Sequence, residues 1–165
     1  MTVKLLGNND LNGSNTTAAD YLRMQKFIAS VSVTLTEIQV EVDSSWSGHE
    51  LKVAIYNDNA GEPGTVAGYS NEYTPTATGV VAVPLVASVS VVAGTAYWLA
   101  FVANGSILYT SPGGTTVRYK SATYSSSYTF ADNPSGLNST ALTSYQIAGY
   151  GTAASSGRAC QVIVC

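Results

Sequence analysis

The sequence has few of the residues from which reactive sites are built. Only 10% of its 165 residues are charged, and His49 is its single histidine, whereas about 25% of residues are charged in a typical soluble domain. The Gly-x-Ser-x-Gly motif of nucleophilic hydrolases is absent from the chain. His49 lies in a Ser- and Gly-containing stretch between two predicted strands, where a solvated loop side chain is the ordinary expectation. We therefore predict a non-catalytic protein that needs no cofactor.

A net positive charge and long apolar runs are also missing. The formal net charge is −3, which is the wrong sign for a protein that neutralises nucleic-acid phosphates. No apolar run approaches the roughly 18 residues of a membrane-spanning helix. The first apolar run ends at Asn8, Asn9 and Asp10, before it reaches the length that a signal peptide requires. We predict no nucleic-acid partner, no membrane insertion and no signal peptide in this chain.

Metal ligands are equally scarce. The sequence has no His and Cys cluster of the kind that binds zinc. Asn57, Asp58, Asn59 and Glu62 offer oxygen ligands of the type that calcium prefers, but these residues are also typical of turns. We predict a turn-rich loop over residues 57–64 and no metal site, with calcium binding as the open alternative.

The two cysteines, Cys160 and Cys165, both lie in the last six residues. If residues 159–165 form a strand, the two cysteines are roughly 16 Å apart on opposite faces. A disulfide requires Cα atoms within about 7 Å, so the two would not pair with each other. They are then either free thiols or covalent links to a neighbouring chain, and we assign them to assembly.

The sequence does contain many residues that favour strands and turns, including 38 Ser and Thr, 15 Gly and 11 Tyr. Ile38, Val40 and Val42 alternate with polar residues, which predicts a half-buried antiparallel strand. Leu51, Val53 and Ile55 alternate in the same way with Lys52 and Tyr56. About 10–11 such segments recur at regular spacing with almost no helical period. The prediction is one all-β domain over residues 1–165, an antiparallel, jelly-roll-like β-sandwich.

Four segments yield more specific expectations. Residues 95–103 are apolar on both faces and predict a central strand that is covered on both sides. Pro84 restricts the segment 79–85 to a sheet edge or a strand end. A separate strand is predicted over residues 89–92. Residues 18–27 have helical propensity, but we predict a strand from about Met24. Residues 127–130 are also predicted to be a strand.

Residues 73–117 contain no Asp, Glu, Lys or Arg. Such a stretch could consist of internal strands plus a polar but uncharged face. It could equally be a surface that another subunit covers, because the centres of interfaces are depleted in charge and rich in aromatic residues.

The aromatic residues provide the candidate ligand-binding positions. Trp98 lies in the predicted central strand and is expected in the core. Trp46 lies in a Ser/Gly loop, and Tyr119, Tyr124 and Tyr128 lie in a polar, ring-rich run. Rings with a polar end suit sugar faces or protein partners. Ordinary strand pairing and rim contacts are the alternative reading of the same tyrosines.

Three segments carry a family resemblance: Val-Ala-Ile-Tyr-Asn-Asp-Asn-Ala-Gly-Glu-Pro-Gly at 53–64, Gly-Thr-Ala-Tyr-Trp-Leu-Ala-Phe at 94–101 and Arg-Tyr-Lys-Ser-Ala-Thr-Tyr at 118–124. They resemble a β-sandwich module that recurs in bacterial and archaeal secreted and cell-surface proteins and in phage structural proteins, mostly without an assigned function. The resemblance implies a jelly-roll-like sandwich and a non-catalytic role. It implies no binding residues.

These observations together favour a structural surface protein. We expect a β-sandwich subunit that assembles with copies of itself or coats a larger particle, such as a virion or an extracellular filament. The last strand, 159–165, would then pair with a sheet edge, either of this domain or of a neighbouring chain. The alternative is a carbohydrate-binding module that uses exposed Trp and Tyr side chains. In both cases the expected location is extracellular or on the surface of a virion.

Overall fold

The computed structural model describes residues 3–7, 14–43, 47–110, 116–140, 144–145 and 147–153. These residues form thirteen strands and no helix. The strands are β1 (Val3–Gly7), β2 (Asn15–Thr16), β3 (Tyr21–Ile28), β4 (Val33–Val42), β5 (Leu51–Asn59), β6 (Glu62–Tyr69), β7 (Gly79–Val91), β8 (Ala96–Ala103), β9 (Leu108–Thr110), β10 (Val117–Ser121), β11 (Asn138–Thr140), β12 (Ser144–Tyr145) and β13 (Ile147–Ala153).

The strands form two antiparallel sheets that pack against each other. One sheet has four strands in the order β1-β13-β4-β7, and the other has six in the order β11-β10-β3-β8-β5-β6. A small third sheet, β12-β9-β2, completes the arrangement. This confirms the predicted all-β fold class and the antiparallel β-sandwich. The strand number exceeds the prediction because β2, β11 and β12 have only two or three residues, too few to show alternation in the sequence.

Among the residues that the structure describes, no helix is long and apolar enough to cross a membrane.

The main core lies between the two large sheets. Leu35 and Ile38 of β4 meet Val53 and Ile55 of β5 in this cluster, and all four are fully buried. Seven of the eight residues of β8 are buried, and β8 lies between β3 and β5 in the six-stranded sheet. The predicted central strand is therefore confirmed, because β8 is covered on both faces.

The outer face of the six-stranded sheet carries a second apolar cluster. Leu22, Met24, Ala54, Tyr56, Trp98 and Ala100 are buried there. Residues 122–137, which we call the covering segment, run between β10 and β11 and supply Ala122, Phe130 and Leu137 to this cluster. The predicted burial of Trp98 is confirmed at 0% exposure, although Trp98 lies beneath the covering segment rather than between the sheets.

Pro84 lies in β7, which is an edge strand of the four-stranded sheet, as its missing N–H predicts. The two predicted strands 79–85 and 89–92 are joined in this one strand of 13 residues. Pro84 pairs with Glu37, next to an irregularity in which residues 85–88 of β7 lie opposite a single residue of β4, Thr36. The strand β7 therefore continues past Pro84 with a local break in its pairing to β4.

Three local predictions were wrong. The strand predicted from Met24 begins at Tyr21, because pairing with β8 and β10 on both sides overrides the helical propensity. The predicted loop 57–64 is instead a β5–β6 hairpin whose two turn residues, Ala60 and Gly61, have φ of 50° and 93°, as type I′ turns require. Residues 127–130 are not a strand; they lie in the covering segment, where the ring of Phe130 packs on the second cluster.

Candidate functional surfaces

Some of the predicted site residues lie outside the described residues. These are Trp46, Cys160 and Cys165, together with the predicted strand 159–165. Their proposed roles in stacking and in assembly therefore stay predictions.

The structure separates Tyr119 from Tyr128. Tyr119 lies two residues after Val117 in β10, and Val117 belongs to the core between the sheets, so both point to the same face of the sheet. The ring of Tyr119 lies 6.3 Å from that of Tyr21. Tyr128 lies in the covering segment on the opposite face, with its ring 5.4 Å from that of Phe130. The two tyrosines do not form one stacking surface.

Tyr124 anchors the covering segment. Its side chain is only 9% exposed, and its hydroxyl donates to Oε2 of Glu72 at 3.0 Å. Its backbone N–H donates to Oδ1 of Asp20 at 2.9 Å. Burial, and then the hydrogen bond to Glu72, raise the pKa of the Tyr124 phenol above its usual range. Tyr124 thus has little ring surface left for a ligand and instead fixes the position of Glu72.

A groove lies beside Tyr124, between the covering segment and the end of β6. Its volume is about 500 Å³, which is within the range of small-molecule sites. We define this groove by its lining residues: Lys52, Tyr69, Ser70, Asn71, Glu72, Ser126, Ser127, Tyr128, Thr129 and Phe130.

Lys52 is the most buried charged residue of the groove. Its side chain lies on the outer face of β5 and is 8% exposed. Its ammonium donates to the carbonyl oxygens of Ser126 and of Tyr128, the latter at 2.9 Å. Among the described residues no carboxylate forms an ion pair with Lys52. The lysine therefore ties the covering segment to the sheet and places a positive charge in the groove wall.

Aromatic rings form much of the remaining wall. Tyr69 is 50% exposed at the end of β6, and Tyr128 meets Phe130 edge to face. Phe130 packs edge to face on Tyr56 with ring centroids 6.3 Å apart. Beneath the covering segment, the Tyr56 hydroxyl is buried and has no hydrogen-bond partner among the described residues. A second cavity, of about 400 Å³, shares Tyr69 and Phe130 as walls and continues the groove towards β7.

The carboxylates considered as calcium ligands are held by protein cations. Asp58 lies 3.0 Å from Nζ of Lys26 and accepts from Nε1 of Trp98 at 2.9 Å. Desolvation raises the pKa of Asp58, but hydrogen bonds from Lys26, Trp98 and Gly61 outweigh it and hold that pKa below its usual value. Glu62 accepts from Nε of Arg118 at 2.8 Å. In the described part of the chain, no group of three or more His, Cys, Asp or Glu could hold a metal ion.

The uncharged stretch 73–117 serves two purposes in the described residues. Part of it is the buried strand β8, and part is the edge strand β7. Val80, Ala82 and Pro84 of β7 are exposed, whereas Val81 and Val83 between them are buried. In the described residues the stretch therefore includes an internal strand and an uncharged exposed face, although that face is apolar rather than polar at Val80, Ala82 and Pro84. The other interpretation, a surface covered by another subunit, stays a prediction.

No pattern in the sequence marks Lys52, Tyr69 and Phe130 as parts of one groove. The alternation correctly placed Lys52 on the face opposite Leu51 and Val53. However, period-two alternation does not reveal that a later segment covers the outer face. No protein-family model and no curated protein matches this chain, so the resemblance to the surface module stays a prediction.

Proposed function

We propose that this protein is a non-catalytic structural surface protein, a β-sandwich subunit that assembles with copies of itself. The observation that supports this best is the exposed face of β7. Val80, Ala82 and Pro84, which we call the apolar stripe, project from an edge strand that has no charged residue along its 13 residues. Native proteins commonly protect exposed edge strands with charged side chains, proline or bulges. β7 has Pro84 and a bulge but no charge, so its backbone edge is blunted while the side chains of the stripe form an exposed apolar surface.

The apolar character of the stripe favours a second copy as its partner. Val80 pairs with Glu41, Ala82 with Gln39 and Pro84 with Glu37 of the neighbouring strand β4. The stripe of one copy matches the equally apolar stripe of another, while the bordering acids of the two copies repel each other. When two stripes meet about a two-fold axis, apolar side chains contact each other and the acids lie at the rim. Because Pro84 has no N–H, we expect side-chain packing rather than a continuous strand ladder.

Light scattering of the purified full chain over a wide concentration range tests this proposal. We expect the particle mass to rise with concentration, and Ala82→Lys to weaken the association at least about tenfold. Ala82 is exposed, so the lysine adds charge without disturbing the core. The matched control is Ile28→Lys, because Ile28 is 68% exposed and lies in β3 of the six-stranded sheet, outside the stripe.

Two results would contradict the proposal. One is a purely monomeric wild type at millimolar concentration. The other is an association that Ile28→Lys weakens and Ala82→Lys leaves unchanged, which would assign the contact to the exposed apolar end formed by Ile28, Val31 and Val92.

The setting that we propose is a virion or an extracellular filament, where a repeated, uncharged and chemically inert surface is useful. The low charge content and the Ser- and Thr-rich composition support this setting. In this proposal residues 159–165, with Cys160 and Cys165, add a second connection between subunits. Deletion of residues 159–165 separates the two contacts: if the stripe alone drives assembly, the truncated chain still associates and Ala82→Lys still weakens it.

A further inference from the structure

We propose that the groove between the covering segment and the end of β6 is a binding site for a neutral saccharide chain. This inference does not rest on self-association: the groove and the apolar stripe are formed by different residues, and a small cavity lined by Asn71, Glu72 and Pro84 lies between them. Four features of the groove support it: its aromatic walls, its hydrogen-bonding groups, its balanced charge and its elongated shape.

The aromatic walls suit the faces of sugar rings. Tyr69 stands half exposed on one side, and Tyr128 and Phe130 form an edge-to-face pair on the other. The C–H faces of a sugar pack well on such rings, while its hydroxyls stay available for hydrogen bonds. A phenol adds a polar end to an otherwise apolar surface. Phe130 is fixed from behind by Tyr56, so this wall is already in place before a ligand binds.

The polar groups of the groove include both donors and acceptors. Lys52 contributes an ammonium, of which two protons are used by the carbonyls of Ser126 and Tyr128; the group has three donors. Asn71 and the serine hydroxyls can donate or accept. The Glu72 carboxylate accepts the Tyr124 hydroxyl and keeps further acceptor capacity. A sugar hydroxyl, which is both donor and acceptor, can use both kinds of group.

The charges of the groove favour a neutral ligand. Lys52 and Glu72 carry opposite charges and line the same cavity. An anionic ligand would be attracted by Lys52 but repelled by Glu72, and a cationic ligand the reverse, so the groove favours neither sign of charge. A neutral polyhydroxylated ligand avoids both repulsions.

The shape of the groove favours a chain of several sugar units. The cavity of about 500 Å³ shares two walls with the neighbouring cavity of about 400 Å³, so the depression extends past Tyr69 and Phe130 towards β7. Individual contacts of this kind are weak. An assembly that presents many copies of the groove would gain avidity by binding several chains at once.

A glycan array probed with the full-length chain tests the proposal, followed by titration calorimetry with the best neutral oligosaccharide. We expect Tyr69→Ala to weaken binding at least about tenfold and Asn71→Ala to weaken it to a smaller extent. Both residues are exposed, so the melting temperature should change little. Tyr119→Ala is the matched control, because Tyr119 lies on the opposite face of the sheet, and it should bind like the wild type.

Three outcomes would overturn this inference. The first is an array without any bound neutral glycan. The second is binding that Tyr69→Ala and Asn71→Ala leave unchanged, which would place the site elsewhere on the chain. The third is selective binding of acidic glycans or of peptides, which would contradict the argument from Lys52 and Glu72. Since the apolar stripe is tested by particle mass without any glycan, failure here leaves the proposed self-association unaffected.

Discussion

At the scale of single residues, Asp58 connects three parts of the molecule. Its carboxylate forms an ion pair with Lys26 of β3 and accepts hydrogen bonds from Trp98 of β8 and from the turn residue Gly61. Each of these contacts favours the ionised form of the carboxyl group, so its pKa in the folded protein lies below the value in the unfolded chain. A carboxyl group with a lowered pKa stabilises the fold above its unfolded pKa of about 4 and loses that contribution as the pH falls through its folded pKa.

We therefore predict that acid weakens the wild type more than Asp58→Asn. The variant keeps a side-chain oxygen that can accept from Trp98, but it cannot ionise. The free energy of unfolding, measured by urea denaturation at a series of pH values from neutral to about pH 2, should differ between the two proteins at neutral pH and converge below about pH 4. Parallel curves over the whole range would mean that Asp58 contributes nothing to acid sensitivity.

At the scale of elements, the covering segment gives the outer sheet face its second apolar layer. Lys52 holds the backbone of the covering segment at Ser126 and Tyr128. Nearer its other end, the backbone N–H of Asn133 donates to Gly64 at 2.8 Å, and the Asp132 side chain accepts from Val66. The segment has no strand, so these separate bonds replace the ladder that fixes a strand.

The expected effect of Lys52→Met is a loss of about 1–3 kcal/mol in the free energy of unfolding. Methionine keeps the apolar stem but leaves two carbonyl oxygens without their donor. Lys120→Met is the control, since its ammonium makes a 3.3 Å bond to Ser135 at an exposed site, and the cost there should stay within about 0.5 kcal/mol. Hydrogen exchange should show the lost protection of Lys52→Met concentrated near residues 122–137. Equal effects of the two substitutions would exclude Lys52 as the anchor.

The elements that the sequence predicted well are those whose burial differs between their two faces. The alternation in β4 predicts which side chains face the core, because one face of this strand is buried and the other is half exposed. The strand β8 is predictable because it is apolar throughout. The sequence does not predict burial where the outer face of a strand is also covered. Lys52 and Tyr56 have the outward pattern of an exposed face, yet both are buried by residues about 75 positions away along the chain. The groove arises from that distant contact, so local periodicity could not predict it.

At the scale of the whole molecule, the two large sheets differ in charge. Strands β3, β5 and β10 of the six-stranded sheet carry five of the seven Lys and Arg residues. In the four-stranded sheet, Glu37 and Glu41 of β4 lie beside the apolar stripe. Two copies that meet through their stripes bring these acids close together.

Salt should therefore strengthen the self-association. Raising the ionic strength shortens the Debye length from about 10 Å at 0.1 M to about 3 Å at 1 M, which screens repulsion between acids at the rim. Sedimentation velocity at low and high salt would measure this as a shift towards the larger species. A shift towards monomer at high salt would instead indicate that the acidic sheet of one copy binds the basic sheet of another.

The hydroxyl of Tyr56, which has no hydrogen-bond partner among the described residues, has an optical consequence. Burial raises the pKa of this phenol, and the covering segment keeps its hydroxyl from water. At alkaline pH, Tyr56 ionises only in molecules whose covering segment has lifted. The rate at which the phenolate absorbance of Tyr56 rises would then report how often the covering segment opens, and no added label is needed.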